Sequence, residues 1–171
     1  TSSGGTIENL GTFRIYTGTV KSTSGNAITH YKGSVILNDN AKVEATSGNG
    51  IECSGTNAES KSLTIGQNST TLSTTAPNIT ASGIGVVADE SNVNFYFYNG
   101  KISGATAISG VPRKTRTGYG VSKTVSNGIE TATLTAAEAR IGGTYYSTLQ
   151  SALDAASTSS STRSDIYLLE N

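Results

Sequence analysis

The 171-residue sequence predicts an all-β solenoid: about four to five parallel-stacked coils followed by a small C-terminal α+β cap. Three observations carry that expectation: an internal repeat, a period-two apolar pattern inside each copy, and a composition dominated by small polar residues. The repeat comes first, because self-similarity at a period of roughly 20 to 50 residues decides the architecture before any local assignment does. Phe13 to Val20 aligns with Val35 to Val43, then with Leu63 to Asn68 followed by Leu72, then with Phe95 to Ile102. A second half-unit recurs in step: Val20 to Ile28, Val43 to Ile51, Ile79 to Val86 and Ile102 to Ile108. Ile15 to Leu37 is 22 positions and Ile28 to Ile51 is 23, while the middle copies stretch to about 30, as surface insertions in a stacked coil would produce.

Within each copy the pairs Phe13/Ile15, Val35/Leu37 and Phe95/Phe97 alternate with Arg14, Ile36 and Tyr96, which places the two sets on opposite faces of extended segments. One such face is too narrow to bury itself. Gly18, Asn40, Asn68 and Gly100 recur at one phase and are expected to make a left-handed corner that turns each strand into the next. About 22 residues hold three short strands and three turns. Stacked in parallel, such coils would align Ile28, Ile51, Val86 and Ile108 in one interior ladder and Val20, Val43, Leu72 and Ile102 in another. A twisted antiparallel sandwich is the structural alternative, but its hairpins do not require the same sequence at the same phase of every turn.

These copies, of the type Ser24-Gly25-Asn26-Ala27-Ile28 between short strands, resemble the right-handed parallel β-helix surface proteins of bacteria, related in fold to pectate lyases. The resemblance covers roughly residues 5 to 110 and implies a parallel β-helix over 1–110. The segment Ile141 to Ala156 with Asp165 to Leu169 is similar to the strand-helix-strand element that opens many β-helices, here placed after the coils. Residues 111–171 are accordingly expected to form a crossover plus a strand-helix-strand capping or linking element. In it, Val111 to Thr135 reads as a polar crossover leading to one strand around Gly128 to Leu134. Thr148 is the expected N-cap of a helix of two to three turns, with Leu149, Leu153 and Ala156 on its apolar face and Ala152 beside them. Thr6 to Gly11 matches Ala27 to Gly33 apart from one residue, so the chain starts partway through a coil and is expected to be a processed or excised piece, or to dock another copy head to tail.

Composition narrows the function. Twelve basic and twelve acidic residues give a net charge of zero, which argues against a nucleic-acid or anionic-membrane surface, and no apolar run reaches the length of a membrane span. A single Cys cannot build an internal disulfide framework. A β-helix lyase or hydrolase needs converging carboxylates. Asp39, Asp89, Asp154 and Asp165 share no phase, so no catalytic residue and no cofactor are expected. Asp89 and Glu90 are the one calcium candidate, against the plainer reading of a solvated loop. His30 and Cys53 occupy equivalent places one coil apart, which invites a metal or nucleophile pair; two ligands are too few for a closed zinc site, and the expectation is a buried structural pair with no metal. Ser24, Ser47 and Ser82 are read as turn formers, and Arg113 to Arg116 as a solvated loop. The sequons at Asn68 and Asn78 would matter only in a glycosylating host.

The expected function is a non-enzymatic structural module of a bacterial surface protein, extracellular or at the cell surface, serving as a stalk, filament or adhesin segment. Its expected partners are a further copy of itself, through Ile7 and Leu10 at the opening edge and Ile166 and Leu168 in the last strand, or a host or cell-surface glycan or protein. The alternative is a glycan-binding or catalytically inactive lyase-like module using Tyr96, Tyr98, Tyr16 and Tyr31 as a stacking strip.

Overall fold

A computed structural model describes residues 6–55, 59–69, 73–157 and 164–169. The described chain is mostly β, with mixed sheets and one short helix. In chain order the first strands are β1 (Ile7–Asn9), β2 (Thr12–Ser22), β3 (Ile28–His30), β4 (Gly33–Ala45), β5 (Ile51–Cys53) and β6 (Lys61–Ile65). They are followed by β7 (Asn78–Ala81), β8 (Ile84–Ala88), β9 (Val93–Phe97), β10 (Lys101–Gly104), β11 (Thr106–Gly110) and β12 (Lys114–Thr115). The remainder is β13 (Tyr119–Ser126), β14 (Ile129–Ala136), β15 (Ala139–Ile141), β16 (Thr144–Tyr146), helix α1 (Leu149–Ala155) and β17 (Ile166–Leu168).

As far as β12 the strand pairs run parallel, and the apolar phase sets their register. The order β1-β3-β5-β8-β11 places Ile7 beside Ile28, Ile28 beside Ile51, Ile51 beside Val86 and Val86 beside Ile108. That ladder is as expected. On the next face Phe13, Val35, Leu63 and Phe95 line up, as do Ile15, Leu37, Ile65 and Phe97. On the third, Val20, Val43, Ile79 and Ile102 are in register. Ile79 holds the place assigned to Leu72, which lies outside the described residues. From Ile28 to Ile108 these side chains are 0 to 4% exposed and belong to one apolar core.

The corners differ in detail from the expectation. Gly18 and Gly100 are left-handed, but in the other two copies the left-handed residues are Asp39 (φ 46°) and Gly66 (φ 80°), not Asn40 and Asn68. Asp39 is the extra residue of a bulge: the β2–β4 register shifts between Ile15 and Thr17, so that Ile15 faces Leu37 while Thr17 faces Asn40. The asparagines of the Ser-Gly-Asn motif act elsewhere. Asn26 Oδ1 accepts from the Asn49 backbone N–H (3.0 Å), and Asn49 Oδ1 accepts from Ile84 N–H (2.9 Å), tying one repeat to the next where the strand ladder is interrupted.

Direction reverses after β12. β14 pairs antiparallel with β10 and β13 antiparallel with β14, so the expectation of parallel pairing alone is corrected: the sheets are mixed. The cause is the Asn127-Gly128 turn, whose two central residues have φ 51° and 75°, the conformation that two-residue hairpins favour. The polar crossover expected from Val111 to Thr135 is therefore a short parallel strand followed by a hairpin. Ala132 enters the core opposite Ile102, and Glu130 Oε2 accepts from the Ala107 N–H (2.7 Å) of edge strand β11 and from Lys123 (3.2 Å). Burial pushes the Glu130 carboxyl up, but the Ala107 N–H and the Lys123 ammonium outweigh it and hold it below the ordinary carboxylate range.

The last described elements form an antiparallel sheet, β16-β15-β17, beside α1. Thr148 caps the helix as expected, its Oγ1 accepting from Ser151 N–H (3.1 Å). The buried side chain of the helix is Ala152; Leu149 and Leu153, expected inward, are exposed. Thr148→Ala is expected to cost about 1 kcal/mol of helix stability, read as faster amide exchange at Ser151 and Ala152; unchanged exchange there would contradict the cap.

Candidate functional site

Two constellations gather polar or aromatic side chains: a buried column at the first repeats and an outward tyrosine face. The column follows from phase. Asn9, His30 and Cys53 are the last residues of β1, β3 and β5 and stand opposite one another in register. His30 is fully buried. Its Nε2 lies 3.2 Å from the Ser62 carbonyl and its Nδ1 3.0 Å from the Asn9 amide nitrogen, so Nε2 carries the proton and Nδ1 accepts. Burial, aided by nearby Lys61, pushes the imidazole below its ordinary range. Burial likewise pushes the Cys53 thiol up to about 12.

That chemistry decides the role of the pair. A nucleophilic cysteine requires a thiolate, and a metal-binding histidine requires a free ring nitrogen. Cys53 is held protonated and both His30 nitrogens are engaged, by Asn9 and by the Ser62 carbonyl.

Lys61 is the residue that sequence reasoning missed. It occupies the inward phase of β6, two positions before Leu63, and is 0% exposed. Its ammonium meets Glu90 Oε2 at 2.9 Å and the Glu59 carbonyl at 3.5 Å. Strict alternation from Lys61 through Leu63 to Ile65 is the signal that finds it. Glu90 is thus neutralised by Lys61, while Asp89 accepts from Ser109 Oγ (2.8 Å), so the two calcium candidates are turned to different partners. The described residues contain no cluster of three or more His, Cys, Asp or Glu able to hold a metal. Asp39 accepts from Gln67 and Asp154 from Gln150.

Outside, Tyr96 and Tyr98 stack with ring centroids 6.1 Å apart and planes within 2°. Burial and the neighbouring Tyr96 raise the Tyr98 phenol above its ordinary range. The Tyr96 row continues in register through Thr64, Ile36 and Arg14 on one side and Lys114 on the other. Tyr16, half exposed on β2, follows Ile15 as Tyr98 follows Phe97, so it shares the phase of Tyr98 three repeats away. Tyr31 stands apart at the turn between β3 and β4. Arg113 to Arg116 is not a solvated loop throughout: Lys114 and Thr115 pair with Tyr96 and Phe97, and buried Arg116 sits over the Tyr119 ring at 5.1 Å, lining a cavity of about 520 Å³ with Asn68, Ser69 and Thr117.

Of the residues expected to carry self-association, Leu10 and Leu168 are 68% and 69% exposed, and Ile7 and Ile166 half-buried. Leu10 adjoins β1, and Ile166 and Leu168 belong to β17, each strand lying at the edge of its sheet. Comparison of the chain with protein-family models, with curated proteins and with solved structures finds no match.

Proposed function

We propose that this chain is a structural module of a bacterial surface protein, a right-handed parallel β-helix of four to five coils that serves outside the cell as a stalk, filament or adhesin segment without enzymatic activity. One observation carries the reading: equivalent apolar residues are in register from repeat to repeat along three faces, while buried His30 and Lys61 are partnered within the fold. Such a column supplies stiffness and a protected backbone, which is what a spacer needs. The relation to pectate-lyase-like β-helices belongs to the same proposal and rests on the repeat pattern.

Self-assembly head to tail is part of it. Among the described residues β2 pairs only with β4, which leaves its other edge open to a partner, and a groove of about 480 Å³ runs along Phe13 to Val20. An unpaired strand edge flanked by apolar residues is a template for another chain. Sedimentation velocity across a concentration series is the test: growing species that Leu10→Asp or Leu168→Asp abolish support assembly, and a concentration-independent monomer refutes it.

A second reading, glycan binding, is favoured by the coplanar Tyr96/Tyr98 pair on an outward face. A glycan array separates the two. Binding lost in both Tyr96→Ala and Tyr98→Ala would establish the second reading, and an empty array leaves the scaffold role standing.

A further inference from the structure

The buried column at the first repeats also joins two turns of the chain, and it does so with a titratable group, His30. Asn9 Nδ2 lies 2.9 Å from the Gly11 carbonyl and 3.3 Å from both the Lys32 and Ser34 carbonyls, while Asn9 Oδ1 accepts from Gly11 N–H at 3.3 Å. Three surrounding carbonyl oxygens fix the amide with its nitrogen toward them, and its two N–H groups are shared among the Gly11, Lys32 and Ser34 carbonyls and His30 Nδ1, the Gly11 and His30 contacts being the shortest. Turning the amide over would aim Oδ1 at those carbonyls. On the other side of the ring, Nε2 already donates to Ser62 of β6.

A proton added to His30 must therefore go on Nδ1, where it faces the Asn9 Nδ2 donor. It would also be a buried positive charge. The nearby Asn9 and Gly33 backbone carbonyls favour the charged ring, but burial, aided by Lys61, outweighs them. The charged and titratable groups around the ring give it no counter-ion: Lys61 of β6 is a cation already joined to Glu90, Cys53 of β5 is a protonated thiol, and Lys32 at the adjoining turn is paired with Glu59 at 3.0 Å. A buried charge without a partner is strongly unfavourable. The least expensive relief is for Asn9 to leave, because β1 is three residues long, lies at the sheet edge and, among the described residues, pairs only with β3.

We propose that His30 is an acid-sensitive latch: neutral, it fastens the Ile7–Gly11 turn onto the second repeat through Asn9, and protonated, it releases that turn and uncovers the Ile28–His30 strand edge. The sign follows from linkage. His30 in the latched chain resists a proton more than it does once Asn9 has left, so latching is strongest where the ring is neutral in both states and weakens as pH falls toward the latched-state value. Uncovering β3 moves the free edge inward by one repeat and removes Leu10 from it.

His30 is the only histidine, so its ring signals report it alone. The test is an NMR pH titration of the intact chain, together with hydrogen exchange corrected for the intrinsic pH dependence. As the His30 ring protonates below the ordinary range, amides of Ile7 to Gly11 and their β3 partners should lose at least tenfold in protection, while Leu63, Phe95 and Ile102 keep theirs. His30→Gln, which cannot titrate, should abolish the acid-induced loss whether or not its neutral-pH protection equals that of the parent. Three results would each overturn the latch: β1 protection that stays constant while His30 titrates, loss of the Leu63 and Phe95 amides together with those of β1, or an acid-induced loss that persists in His30→Gln.

Discussion

Phe97→Ala is expected to destabilise the chain by about 3–5 kcal/mol, with a lowered denaturation midpoint and an unchanged slope. Phe97 is fully buried, stands opposite Ile65 and Thr115 on neighbouring strands, and stacks on Phe95 with centroids 6.4 Å apart. Removing its ring leaves a cavity whose walls are two hydrogen-bonded strands with little freedom to collapse inward. Tyr98→Ala, one residue along the chain, provides the comparison. Its ring faces outward, half-buried, and its loss is expected to cost about 1 kcal/mol or less. Equal losses at the two positions, measured by chemical denaturation, would mean that the inward and outward phases are wrongly assigned.

Gly66→Ala should be nearly as damaging. Gly66 has φ 80°, and a Cβ there would stand 2.5 Å from Asn99 N, 2.7 Å from Asn99 Cβ and 2.7 Å from Asn99 O. The neighbour is mostly backbone of the next repeat and cannot swing aside. Left-handed strain and the steric conflict together are expected to cost about 3 kcal/mol or more. Gly118→Ala separates the two contributions, because Gly118 has φ 79° with nothing within 4 Å of the added carbon. Only the strain of about 1 kcal/mol is expected there. If thermal or chemical denaturation finds the two variants equally stable, the close stacking of repeats at Gly66 is refuted.

The phase of the apolar residues made much of the fold legible. Ile28, Ile51, Val86 and Ile108 could be aligned because burial in a narrow interior admits an apolar residue at each equivalent position, and the spacing of 22 to 23 residues repeats that demand. Where insertions change the spacing the alignment loses its anchor, and Ile79 rather than Leu72 holds the register of Val43. The antiparallel hairpin was signalled by Asn127-Gly128 between β-rich segments, but a search tuned to the repeat passes over a turn that ends it.

The candidate sites were legible in proportion to how far they depend on phase. The His30/Cys53 register could be read from equivalent positions, and Asn9 from the same alignment. Lys61 defeats composition-based reading because a lysine is ordinarily exposed; its burial depends on Glu90, 29 positions later across an insertion. Tyr16 shares a phase with Tyr98, whereas Tyr31 belongs to a different turn, a distinction that residue type alone does not carry.

Cross-strand NOEs from the isotope-labelled chain test the central claim most directly. The account predicts methyl contacts from Ile28 to Ile51 and from Ile51 to Val86, together with the backbone pattern of strands running the same way. Short Hα–Hα contacts between β3 and β5, which antiparallel neighbours make, or the absence of any Ile28–Ile51 contact, would contradict it.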